Sequence, residues 1–342
     1  MVPFVWSDEC LRHDPGEEVW VGVRTPATEV PERVLRIRAA LVAAGAREVA
    51  ATTHPDEPLL AVHDAGLVEF LRCAWQQWAA AGLPSDRVVP YVFARAELTS
   101  GRPPAVPAAV WARPGLYAYD TMTLIGPATW EAARAAVDVA LTAVDLVVAG
   151  ERLAYACCRP PGHHVTRSTY GGSCYLNNAA VAADELLRRV GSPVAVVDVD
   201  AHHGNGTQEL FLRRDDVRTV SVHVDPSAGW FPHFLGFAAE SDGSNLNLPL
   251  APGSDDGPWL EAVRTAAAFA AGARGLVVAL GVDAAAGDPE SPLRVSLEGY
   301  REAGCLLGGL GLPTVVVQEG GYDLAMIGEL VVETLAGLQE AT

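Results

Sequence analysis

The stretch PVAVVDVDAHHGNGT, residues 193–207, decides how this chain folds. It opens as a run of small apolar and β-branched residues, Pro193 to Val199, which predicts a strand buried on both faces. Asp200 and His202 follow, one residue apart. Alternate side chains of an extended segment point the same way, so a strand end presents both from one face. A second apolar run, GLVVALGV over 275–282, ends in Asp283. Two carboxylates and one imidazole at neighbouring strand ends make a three-ligand metal set with a position left for water or substrate. That is the pattern of a metal-dependent hydrolase.

Outward from this stretch the apolar pattern alternates between the periods of strand and helix. A helix is predicted over Trp130–Ala149, capped by Thr129 and closed by Gly150, and the strand-like LAYACC of 153–158 follows it. Then come helix Asn178–Val190, strand 193–199, a helix near 206–213 and strand Val217–Val224. Helix Pro258–Ala273, strand 275–282, helix Leu297–Leu307, strand Pro313–Gln318 and helix Leu324–Leu338 complete the series. Such alternation predicts the α/β class, an open, mostly parallel sheet with helices on both faces. Ligands of such sheets bind beyond the carboxyl ends of the strands, and the polar motifs all fall at such ends. The N-terminal part adds helices near Glu32–Ala44 and Leu67–Ala81. An irregular, proline-rich stretch from 83 to 115 is expected to shape the mouth of the site, to mediate self-association or to be a plain surface excursion.

The whole of 1–342 reads as one domain, since no linker divides it. Half of the residues are apolar and the formal net charge is −18, which disfavours nucleic acid and suits either simple solubility or attraction of cationic substrates. Cys10, Cys73, Cys157, Cys158, Cys174 and Cys305 lack CxxC spacing. With no apolar leader and no membrane span, a reducing cytoplasm fits best. The adjacent Cys157 and Cys158 read as small packed hydrophobes.

His163 and His164, in RPPGHHV, stand beside the metal rim and suit general acid/base work. Tyr322, in EGGYD, is placed to hydrogen-bond a carbonyl oxygen and the oxyanion it becomes. Dinuclear sites of the arginase kind add a carboxylate two residues after the position of Asp283. Here that residue is Ala285, so a single metal is expected. The donor set suits Zn(II) and also accommodates Fe(II), Co(II) or Mn(II).

Taken together, RPPGHHV, GGSCYLNNAA, DVDAHHGNGTQ, FPHFLGFA, LGVDAAAGDP and EGGYD resemble the histone deacetylase superfamily, over about Arg33 to Leu338. DPSAGWFPHFLGFAAES, GLPSDRVVP to GLYAYDT, and GPATWEAA are most similar to bacterial acetylpolyamine amidohydrolases. The resemblance implies zinc on Asp200, His202 and Asp283, tandem histidines at 163 and 164, and a catalytic tyrosine at 322. It also implies a structural potassium ion near Asp198, Asp200, His202, Ser221 and Val222. Asp198 matches the carboxylate that partners the first histidine, while the second is partnered by the neutral Asn205. A carboxylate favours imidazolium and an amide does not, so His163 is expected to carry charge and His164 to act as base.

Two positions depart from the family pattern. Where relatives place an aromatic residue in GG-aromatic-C, this chain has Ser173, opposite Phe231. Loss of one aromatic wall is expected to widen the channel, with Trp230 and Tyr175 as candidates to refill it. The glutamate with which polyamine-specific relatives recognise a distal amine is matched by Met122, and the nearby Asp120 is expected to substitute or to bind substrate at the rim. The resemblance as a whole implies a zinc-dependent deacetylase for a small acetylated amine, dimeric through the 83–115 loop. A protein acetyl-lysine deacetylase, a deacylase of bulkier small molecules and a silent acetyl-ligand binding protein are the alternatives.

Overall fold

The computed structural model describes residues 2–341. In chain order the elements are β1 (Pro3–Trp6), β2 (Glu17–Trp20), β3 (Val23–Pro26), α1 (Glu32–Ala43), β4 (Arg47–Ala50), α2 (Glu57–Val62), α3 (Ala65–Ala80), α4 (Pro114–Tyr117), α5 (Thr129–Val148) and β5 (Leu153–Ala156). They continue with α6 (Asn178–Val190), β6 (Val194–Asp198), α7 (Asn205–Phe211), β7 (Val217–Val224), β8 (Asn245–Leu250), α8 (Asp256–Ala270), β9 (Gly275–Leu280), α9 (Leu297–Gly308), β10 (Thr314–Gln318) and α10 (Ile327–Glu340). Eight strands form one sheet in the order β4-β1-β5-β10-β9-β6-β7-β8, parallel at every pairing. The hairpin β2-β3 stands apart from it.

Period-two alternation sorts the central strands into two cores. Ala154, Val196, Val277 and Val315 pack with residues of α3, α5 and α6, whereas Tyr155, Val197, Val278 and Val316 pack with α1, α8, α9 and α10. The expected doubly covered α/β sheet is therefore what forms. Asn177 starts α6 by accepting the Ala180 N–H at 2.9 Å. At the end of α5, Gly150 takes φ 115 and the N–H groups of Gly150 and Glu151 reach back to Val147 and Leu146.

Several expectations need correction. Thr129 does not cap α5: Ala128 occupies that position at φ 60, and the Thr129 hydroxyl turns back to accept the Gly126 N–H. The last helix begins at Ile327, because Asp323 closes a turn there by accepting the Met326 and Ile327 N–H groups on its carbonyl. Strands β1, β4 and β8 were not anticipated. β4 (REVA) is mostly exposed and carries no buried-strand signal, while β1 (PFVW) is buried throughout but, at four residues, is too short for periodicity to mark it as a strand. In β8 (NLNLPL) proline and asparagine oppose strand propensity, which is tolerated because β8 is an edge.

Within 83–115, Val88 bridges Ile125, and the segment ends in the first two residues of α4. Asp86 pairs with Arg24 of the hairpin at 3.1 Å. No helix among the described residues is long and apolar enough to cross a membrane.

Candidate active site

Strands β6 and β9 run side by side in register, Asp198 opposite Ala279, so the loops that leave them begin as neighbours. Asp200, His202 and Asp283 converge there, each offering a ligand atom within 4.8 Å of the others. The His202 Nδ1 lies 2.9 Å from Asp283 Oδ2 and 3.2 Å from Asp200 Oδ1. Backbone N–H groups fix both carboxylates: Ala201 donates to Asp283 Oδ1 at 2.8 Å, and Gly320 donates to Asp200 Oδ2 at 2.7 Å. A Cβ at Gly320 would stand 2.5 Å from Asp200 Oδ2 and 2.8 Å from Asp283 Oδ2, so only glycine fits. Burial, and then the charge of Asp200, push Asp283 up to about 8. A buried oxygen, nitrogen, oxygen set of this kind suits a divalent cation, whose charge would offset that repulsion.

The cis peptide Arg159–Pro160 leads into the tandem histidines. His163 Nδ1 meets Asp198 Oδ2 at 2.9 Å, and His164 Nδ1 meets Asn205 Oδ1 at 2.6 Å. Burial opposes charge on His163, but Asp198 and Asp200 outweigh it and raise the ring to about 10. For His164, burial and the neighbouring His163 and His202 push the pKa well down. An amide oxygen accepts only, so Asn205 fixes the proton of neutral His164 on Nδ1 and leaves Nε2 free as an acceptor. Ser221 of β7 lies opposite Asp198 in register, with Val222 next in the strand.

Tyr322 follows Gly321, which sits at φ 122. Its N–H donates to Asp288 Oδ2 at 2.7 Å. Beneath its ring lies buried Arg33, which donates to the carbonyl oxygens of Gly321 and Glu319, both at 2.6 Å. Burial raises the phenol well above its usual value, so it remains a proton donor.

His164, His202, Tyr322, Phe231, Trp230 and Ser173 line one cavity of about 640 Å³. Phe231 meets His164 edge-on, with ring centroids 4.9 Å apart. Gly172, across from them, would bring a Cβ to 2.4 Å from His164 Cδ2. Two channel expectations fail. Asp120 does not line this cavity: its Oδ1 accepts the Met122 and Thr123 N–H groups, and its Oδ2 accepts the Gly172 N–H and the Thr123 hydroxyl. It anchors the Gly172 turn instead of facing an amine. Tyr175 is buried behind the wall with its hydroxyl donating to Leu124 O, so it does not refill the gap at Ser173. Trp230 lines the cavity and donates to Glu290 O at 3.2 Å.

No residue of 83–115 lines the cavity. Sequence reasoning passed over Arg33, Asp288, Glu319, Glu18 and Glu290. Glu319 lies inside the quoted EGGYD, and its Oε2 accepts the N–H groups of Gly162 and His163 at 2.7 and 3.1 Å. Glu18 and Glu290 line the cavity from outside the quoted motifs.

The chain matches the histone deacetylase domain over residues 27–338. It is 39% identical to the acetylpolyamine amidohydrolase of Mycoplana ramosa, with 98% of each chain covered. With acetylpolyamine amidohydrolase 1 of Pseudomonas aeruginosa it shares 40% identity over 98% of this chain and 99% of the other. The crystal structure of the acetylpolyamine aminohydrolase from Burkholderia pseudomallei superposes with a TM-score of 0.93 at 35% identity, covering 100% of this chain and 99% of that one. With the domain match spanning most of its length, the chain belongs to the histone deacetylase family.

Proposed function

We propose that the protein removes the acetyl group from a small acetylated amine of the acetylpolyamine type, releasing acetate and the free amine. As a member of this family with amidohydrolase relatives it is a hydrolytic deacetylase. The observation that carries the finer reading is the convergence of the buried Asp200 and Asp283 on His202, which lines the same cavity as His164 and Tyr322. Zinc is the ion proposed, held by those three residues, with Fe(II) or Co(II) compatible. Bound there, it supplies Lewis acidity to the acetyl carbonyl and lowers the pKa of the attacking water.

The side chains of the chain itself divide the remaining work. His164 Nε2 takes a proton from that water and later passes it to the leaving amine. Tyr322 donates its phenolic hydrogen bond to the carbonyl oxygen as negative charge develops. His163, charged against Asp198, stabilises the same charge without giving up its proton. A potassium ion is proposed beside Asp198, Asp200, His202, Ser221 and Val222, with a structural role. We further propose a single-domain, cytoplasmic homodimer whose contact is formed by 83–115, where Tyr91, Leu98, Val106 and Trp111 are exposed. All six cysteines are free, which suits a reducing compartment.

One observation favours a second reading. A cavity of about 640 Å³ walled by Ser173 has room for an amine bulkier than a thin methylene chain, as a deacylase of larger small molecules would need. Acetate release from N-acetylputrescine, N-acetylspermidine, an acetyl-lysine peptide and bulky acetamides, with Asp200→Ala as control, separates the two. Preference for the acetylpolyamines supports the first reading; preference for the bulky amides overturns it.

A further inference from the structure

Ser173 adopts φ 60, with its N–H donating to Thr123 Oγ1 at 2.9 Å, and its short side chain borders two spaces. One is the large cavity. The other is a recess of about 10 Å³, room for one water-sized group, lined in part by His13, Glu18, Glu29 and Met122. Glu18, Met122 and Ser173 face both spaces, so those three side chains are the partition between them.

The recess is rich in acceptors. Glu29 is 2% exposed; its Oε1 accepts from Arg33 at 2.9 Å and from Arg159 at 2.7 Å, while its Oε2 is buried without a hydrogen-bond partner. Both arginines hold it charged against its burial. His13, 3.8 Å away, offers no positive charge, because burial pushes it down to about 3. Glu18 enters no ion pair among the described residues. Burial, and then the charges of Glu290 and Asp120, push it up to about 7, as expected of an acid that lacks a cation. An ammonium group is the size of a water, carries three donors and brings the missing charge.

On the reading of the protein as an acetylated-amine deacetylase, we infer that the recess behind Ser173 is a lateral subsite for a second, primary ammonium of the substrate. The substrate chain leaves the line of the channel, passes between Ser173 and Met122 and sets its ammonium against Glu18 and the free oxygen of Glu29. Glu290, which also lines the large cavity, draws the cation inward. An aromatic side chain at 173 would stand in the partition and close this path.

The test uses zinc-loaded protein at pH 8 in two readouts. First, binding of 1,4-diaminobutane is followed by calorimetry in the wild type, Glu18→Gln and Ser173→Phe. Second, the ratio of kcat/KM for N-acetylputrescine to that for neutral N-butylacetamide is measured in the same proteins. The expected result is a Kd at least fivefold weaker, and a ratio at least tenfold lower, in each variant. Unchanged values in both variants mean that the recess holds water only, and overturn the proposal. Loss in Glu18→Gln but not in Ser173→Phe also overturns it, by placing the ammonium in the large cavity. If neither amide is hydrolysed the deacetylase reading fails, and diamine binding still decides the subsite. Should Ser173→Phe not fold, Ser173→Leu fills the same partition.

Discussion

The guanidinium carbon of Arg33 lies 4.7 Å from the centre of the Tyr322 ring, while the same side chain ties down the carbonyls of Gly321 and Glu319. A helix near the N-terminus thus fixes the position of a tyrosine near the C-terminus. Arg33→Ala strands two buried carbonyls and removes one partner of Glu29, with an expected loss of about 3–5 kcal/mol in denaturant unfolding. A folded fraction of that variant is expected to retain substrate binding but to lose at least tenfold in kcat.

Tyr322→Phe removes only the phenolic oxygen. If Tyr322 donates to the developing oxyanion, kcat falls roughly 10²- to 10³-fold while metal content per chain is unchanged. Metal analysis alongside steady-state kinetics checks both halves; a wild-type kcat would remove Tyr322 from the mechanism.

Asn205→Asp places a carboxylate on His164 Nδ1 in place of an amide oxygen. A negative partner favours imidazolium, so the pKa of His164 rises. Because the base must be neutral, the acidic limb of the kcat/KM profile is expected to move to higher pH, with less activity at neutral pH. An unmoved limb would mean that His164 is not the group titrating there.

Gly320→Ala is expected to be far more damaging than its single added methyl suggests. The new Cβ falls within 2.5 Å of Asp200 Oδ2 and 2.8 Å of Asp283 Oδ2. Displacement of either carboxylate weakens metal binding, which competition with a chromogenic chelator reads directly, and a loss of at least tenfold in affinity is expected.

Away from the site, His54 bridges Asp138 at 3.2 Å and Asp145 at 3.0 Å. The hydrogen bond to Asp138, and next that to Asp145, raise its pKa above the ordinary 6.5 despite partial burial. Stabilisation from a raised histidine is fully present below the unfolded value and disappears as pH rises through the folded one. His54→Gln is therefore expected to lower Tm by about 1–2 °C at pH 5.5, a small shift because Asp145 at one end of the bridge is open to solvent, and to have less effect at pH 9. Scanning calorimetry at the two values decides it.

The central sheet and the convergence of Asp200, His202 and Asp283 were legible because strands buried on both faces write continuous apolar runs, and the three residues follow such runs at once. The edge strands write no such signal: β4 is mostly exposed and need not be apolar, and β8 buries Asn245 and Asn247 among its leucines. Asp120 misled because proximity in sequence to a channel position does not say which way a carboxylate turns. Four backbone and hydroxyl donors had already claimed it. Glu18, on an isolated hairpin, reaches the cavity only through the tertiary fold.

The position of β10 between β5 and β9 has a consequence for synthesis of the chain. The last of the sheet's eight strands in chain order is also a central one, so β5 and β9 each present an open edge until residues 314–318 emerge. A nascent or truncated chain ending before Thr314 holds two half-sheets, with Asp200 deprived of the Gly320 N–H and with no Tyr322 at all. Such a fragment exposes pairing edges and is prone to aggregate. Sheet and site are therefore complete only once residues 314–322 have been inserted, and retention of the proposed metal would report that insertion.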